Sequence, residues 1–104
     1  MAKKGYWIVR ADVSDPEGYK AYMAADMAAI GKHGGRFLVR GGAFELFEGS
    51  ARSRSVVLEF PSYQAALACY RSPEYQAAAA LRQGKAEFDL IVIEGYDGPQ
   101  PHTP

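Results

Sequence analysis

Few residues in this sequence can carry chemistry, and their surroundings decide what each could do. His33 is the residue type most often used to move protons or hold a metal near neutral pH, and it directly precedes Gly34-Gly35. At a helix end a basic side chain also meets bare carbonyls and the negative pole of the dipole, so a structural role competes with a catalytic one. Glu59 stands inside the otherwise apolar run Val56-Val57-Leu58-Glu59-Phe60. A carboxylate there either has a raised pKa and serves as general base, or is held by an arginine. Glu94 repeats that ambiguity at the end of the last apolar run. Glu59 and His33 are therefore the candidate catalytic residues.

The candidate binding residues are Arg82, Tyr75, Tyr70 and Arg40. Tyr75 and Arg82 are two helical turns apart across a run of small alanines, so they face the same way. A guanidinium group and flat phenol rings at the rim of such a cleft suit a small anionic or polar aromatic molecule. The alternative is close packing of the alanines on a sheet, with Arg82 paired to a carboxylate. Arg40 and Arg36, four residues apart on a strand, are expected on one face, where they could hold a carboxylate or phosphate or be neutralised by Glu45 or Glu48. A site would lie between residues 70–82 and the sheet, near a dimer seam. No metal or organic cofactor is expected: His102 is the only other histidine, and no Cys/His group has ligand spacing. Cys69 reads as a small packed residue. The glycine pairs follow a helix into a strand, the wrong direction for a phosphate loop.

The elements that must position these residues are legible from periodicity. Residues 6–13 alternate as a strand, with Trp7, Val9, Ala11 and Val13 on one side. Ser14 or Asp15 caps a helix, Pro16 suits its first turn and Glu17 favours its positive pole. Tyr19, Tyr22, Met23, Asp26, Met27 and Ile30 form its stripe, and Gly34-Gly35 ends it. Residues 36–40 form a second strand, bent at Gly41-Gly42 and resumed over 43–47. Residues 54–60 form a third. Ser62 starts a helix that Ser72-Pro73-Glu74 restarts, running to about Gln83. Residues 88–94 form the last strand. Residues 1–96 make one α+β domain and 97–104 a flexible tail.

The order βαββαβ predicts a ferredoxin-like antiparallel sheet with its helices on one face. Both faces of the inner strands are apolar, however: Val56, Leu58 and Phe60 against Val57, and Leu90 and Val92 against Ile91 and Ile93. A sheet open to water alternates more cleanly. The uncovered face is expected to meet a second copy of the chain, as a homodimer.

Composition narrows the function. The 104 residues suffice for one domain with a core of its own. A formal net charge of +0 argues against nucleic acid as a partner. RNA-recognition modules share this element order but need exposed aromatics where residues 54–60 offer aliphatics and an acid. An acylphosphatase-like site of the same topology would need asparagine, and the sequence has none. The single cysteine excludes an internal disulfide, and no run approaches the roughly eighteen apolar residues of a membrane helix. A cytoplasmic protein without membrane attachment is expected.

Several motifs, in order, resemble one family. They are Asp15-Pro16-Glu17 with Tyr19 and Tyr22, His33-Gly34-Gly35-Arg36, Arg40-Gly41-Gly42, Glu48-Gly49, Glu59-Phe60-Pro61-Ser62, Ala66, Tyr70, Ser72-Pro73-Glu74-Tyr75, Leu81-Arg82 and Glu94-Gly95. From Tyr6 to Gly95 the chain resembles the DUF1330 family, whose function is unknown. The resemblance implies a dimeric α+β barrel, two four-stranded sheets face to face, and assigns no catalytic residue. The wider fold group includes cofactor-free monooxygenases, dehalogenase-like and isomerase-like enzymes and heme-handling proteins. Three readings stay open: a binding protein for a small anionic or polar aromatic molecule, a cofactor-independent enzyme, or an interaction module. An enclosed pocket with Glu59 or His33 near Arg82 or Arg40 would favour the enzyme. A pocket filled by Trp7, Tyr70 and Tyr75 would favour a module without chemistry.

Overall fold

The chain is described by a computed structural model over residues 3–102. Residues 1–2 and 103–104, the outer ends of the expected domain and tail, lie outside the described residues. The elements run β1 (Gly5–Val13), α1 (Pro16–Lys32), β2 (Arg36–Arg40), β3 (Arg54–Phe60), α2 (Tyr63–Arg71), α3 (Pro73–Ala80) and β4 (Ala86–Glu94). The strands form one antiparallel sheet in the order β2-β3-β1-β4, with the first strand at its centre. This is the expected ferredoxin-like α+β architecture.

Local chemistry sets the helix ends. Of the two possible caps of α1, Asp15 is the one used: its carboxylate accepts from the Gly18 N–H at 3.1 Å, and Pro16 occupies the first turn. Ser72 serves two helices at once. Its hydroxyl donates to the Cys69 carbonyl at 2.7 Å and accepts from the Tyr75 N–H at 3.1 Å, which fixes the joint between α2 and α3. Gly34 follows α1 at φ +76, a conformation costly for any residue with a Cβ. Gly35 is needed for a different reason: a Cβ there would press on Ile30 and Phe60, both buried.

One face of the sheet carries Trp7, Val9, Leu58 and Phe60 against Tyr19, Tyr22, Ile30, Ala66 and Tyr75 of the helices. The Trp7 indole N–H donates to the Ala66 carbonyl at 2.9 Å, so the largest core side chain buries no unpaired donor. Cys69 is fully buried in this core and its thiol faces the Ala29 carbonyl at 3.7 Å. The opposite face carries Tyr6, Ile8, Val57, Ile91 and Ile93, which stand together by register. Ile91 is 55% exposed and Ile93 47%, so this apolar face is uncovered within one chain.

Five sequence expectations change. Arg36 and Arg40 lie on opposite faces, because the β2–β3 register shifts between Phe37 and Val39. The shift leaves Leu38 as an extra residue, so Arg36 pairs with Glu59 on the open face while Arg40 pairs with Val56 on the helix face. Residues 43–47 do not resume a strand. Gly41, at φ +69, turns the chain off the sheet edge, and Phe44, Leu46 and Phe47 stand exposed with no ladder partner. Met27 leaves the buried stripe of α1, where Ala29 takes its place, because one position beyond Asp26 is a 100° turn away. The second helical piece ends at Ala80 and turns at Gly84 (φ +75), and β4 starts two residues early, at Ala86.

The segment 41–53 projects from the sheet and is tied back at its far end. Arg52 reaches Asp89 at 2.7 Å, Asp12 at 2.9 Å and Glu87 at 3.5 Å, three carboxylates of the open face. The Ser53 N–H also donates to Asp12, at 2.8 Å.

Candidate functional site

Beneath α1 the sheet and helix enclose a small cavity. Trp7, Phe37 and Phe88 give it aromatic walls, Tyr19, Tyr22 and Asp26 enter from α1, and Arg40 and Arg54 enter from β2 and β3. Its volume of about 20 Å³ holds about one water. A wider cleft of about 360 Å³ opens between α1 and β3, lined by Val13, Pro16, Lys20 and Ser53. Tyr19, Met23 and Arg54 line both spaces and form the threshold between them.

Asp26 is the unusual member. It is 7% exposed, and its Oδ1 atom has no hydrogen-bond partner. Burial pushes its carboxyl up to about 6, a rise opposed in part by Arg40, the Tyr22 hydroxyl, Arg54 and Arg82. The Nε–H donors of Arg54 and Arg82 are likewise buried and unpaired. Gly41 makes room for Arg54: a Cβ there would collide with the guanidinium group. Arg40 lies over the Phe37 ring, 4.2 Å from its centroid.

Behind the cavity the tyrosines form a network. The Tyr22 and Tyr75 hydroxyls share a hydrogen bond of 2.7 Å. Arg82 stacks on Phe88 at 4.0 Å and on Tyr22 at 5.3 Å. Burial pushes Tyr19 up to about 12 and raises Tyr22 and Tyr75 as well, so all three stay protonated near neutrality. The space expected between residues 70–82 and the sheet is filled: Trp7 meets Tyr75 at 4.8 Å and Tyr70 at 5.9 Å, and Tyr70 meets Tyr75 at 5.4 Å. Opening lies on the α1 side instead.

The structure thus gathers Arg40, Arg82 and Tyr75 around Tyr22 and Asp26, with Tyr70 bracing Tyr75. It places the other two candidates elsewhere. Glu59 sits on the open face, accepting from Arg36 Nε and from the Tyr6 hydroxyl, each at 2.9 Å, and Arg36 then Tyr6 hold its carboxyl below the ordinary range. His33 caps α1, its Nδ1 hydrogen-bonded to the Ala29 carbonyl at 3.0 Å. Asp26 and Arg54 went unselected in the sequence. Asp26 did leave a signal, a carboxylate on an otherwise apolar helical stripe. Arg54 left none, since the first residue of a strand is an ordinary place for arginine. Among the described residues, no group of three or more His, Cys, Asp or Glu is placed to hold a metal ion, and no helix is long and apolar enough to cross a membrane.

The fold agrees with what similarity to known proteins shows. Residues 4–96 match the domain of unknown function DUF1330, and the chain belongs to that family. A protein of unknown function from Rhodopseudomonas palustris is 20% identical with a TM-score of 0.71, over 94% of this chain and 86% of its own. SnoaB, a cofactor-independent oxygenase from Streptomyces nogalater, is 14% identical with a TM-score of 0.61, over 97% of this chain and 100% of its own. A dimeric ferredoxin-like protein of unknown function from Thermobifida fusca is 15% identical with a TM-score of 0.52, over 90% and 92%. No curated protein matches. At these identities the likenesses establish the fold.

Proposed function

We propose that the protein is a homodimer that binds a small anionic or polar aromatic molecule in each protomer, in the cavity and cleft beneath α1. The carrying observation is the pair of polar atoms left without partners there: Asp26 Oδ1 and Arg54 Nε. Buried polar groups are nearly always satisfied, and two orphans of opposite kind beside aromatic walls fit a place where a ligand completes the bonding. Arg54 and Arg40 supply charge-assisted donors at the mouth, Tyr19 and Phe37 supply walls, and Tyr75 and Arg82 hold Tyr22 from behind while Tyr70 braces them. Dimerisation through the open face, to which the edge strand β4 contributes Ile91 and Ile93, is supported by their exposure and by the dimeric relative from Thermobifida fusca.

Titrating the protein with benzoate while following backbone amide shifts tests the site. Shifts are expected at residues 19–26 and 54–56, and Arg54→Gln should weaken binding about tenfold or more, the worth of a charge-assisted hydrogen bond. Shifts confined to the surface away from Asp26, or unchanged affinity in the variant, overturn the assignment. A cofactor-independent enzyme is the second reading. A buried carboxyl near pH 6 inside the cavity favours it, because such a group exchanges protons near neutrality.

A further inference from the structure

We infer that the ligand of this site carries a hydroxyl donor as well as an anionic group on one small aromatic frame, a hydroxylated aromatic acid whose hydroxyl is accepted by Asp26. The inference rests on the reading of the cavity as a ligand site and narrows its chemistry.

The site has two poles of opposite demand. Arg54 offers donors only and keeps a buried Nε–H without a partner, so it requires an acceptor; with the Arg40 charge lining the same cavity, an anion suits this pole best. Asp26 lines the same cavity and offers the reverse. An ionised carboxylate accepts only, so its unpartnered Oδ1 requires a donor. A simple carboxylate ligand would satisfy the arginines and leave Asp26 orphaned, with like charges brought together. A neutral phenol would satisfy Asp26 and leave the buried Arg54 Nε–H unpaired. One molecule with both groups satisfies both poles.

The shape agrees with the polarity. The inner cavity, about 20 Å³, admits a single polar group and not a ring. The outer cleft, about 360 Å³, has the size of a small-ligand pocket. Tyr19, Met23 and Arg54 border both, so a ring resting in the cleft against Tyr19 and Met23 can send a hydroxyl inward to Asp26 while its anionic group stays with Arg54.

Calorimetry on the full chain with benzoate, 3-hydroxybenzoate and 4-hydroxybenzoate tests this. One of the two hydroxylated acids should bind the parent roughly 10–100-fold tighter than benzoate, the range for a hydrogen bond to a charged group. In Asp26→Leu that advantage of the hydroxylated acid over benzoate should fall to about twofold or less. Should the leucine variant not fold, Asp26→Asn, which keeps the shape and loses the charge, should still cut the advantage. Equal binding of hydroxylated and plain acids by the parent, or an advantage that survives in the variants, overturns this inference and leaves the ligand site standing. No binding of any of the three acids overturns both.

Discussion

Asp26 has neighbours that pull its proton in opposite directions. Burial favours the neutral acid; Arg40, Arg54 and Arg82 favour the anion, and burial prevails, leaving the carboxyl at about 6 instead of 3.8. Between those two values the unfolded chain gives up the proton while the folded one keeps it. The folded state therefore binds more protons, and this residue's contribution falls as pH rises from about 4 to 6. The loss at neutral pH is on the order of 2–3 kcal/mol. Asp26→Asn should accordingly melt several degrees above the parent at pH 7, and the gap should close by pH 4. Thermal melts of both proteins across that range check it; a gap independent of pH would contradict a buried, costly carboxylate. Asp12, Asp89 and Glu59 have the opposite sign, being held low by Ser53, Arg52 and Arg36 respectively as the leading partners, but both proteins share them and they cancel in the difference.

The turn from α1 into β2 shows how elements are specified and where the specification stops. Gly34→Val would force a β-branched residue to φ +76, and Gly35→Val would drive methyl groups into Ile30 and Phe60. Each should cost about 1–3 kcal/mol, against about 1 kcal/mol for His33→Ala, which loses one side-chain bond to a carbonyl. Denaturant melts giving the three variants equal midpoints would contradict this ranking. Caps such as Asp15, Ser62 and Ser72 were legible because their chemistry is local: a side-chain oxygen and an N–H three residues on. The bulge at Leu38 was not, because register is decided by the partner strand and nothing within Arg36–Arg40 marks the extra residue. Residues 43–47 carry the alternation of a strand, yet alternation records propensity and not pairing. Asp26 was visible on its helix, but its meaning depends on arginines from two strands distant in sequence.

At the scale of the molecule, a slab only 16 Å thick along its shortest axis leaves one broad apolar face to be covered. Its radius of gyration of 14.8 Å exceeds the about 13 Å of a compact chain this long, in keeping with the projecting segment 41–53. Sedimentation should find a dimer at micromolar concentration. Ile91→Lys combined with Ile93→Lys should yield a monomer with unchanged helical and strand content, since both side chains are half exposed in one chain. A parent that sediments as a monomer would end the dimer proposal. The central position of β1 bears on how the chain comes together in time. The strand made first is flanked by β3 and by β4, the last to be made, and its pairing with β4 runs along its whole length from Gly5↔Glu94 to Val13↔Ala86. Until β4 has been made, the nascent chain therefore carries an unpaired edge on β1, the strand of Trp7 and Val9. Such closure between distant segments slows folding and exposes a sticky strand meanwhile. A chain stopped at residue 85 should remain unfolded and bind a chaperone, and restoring β4 as a separate peptide should rescue the sheet.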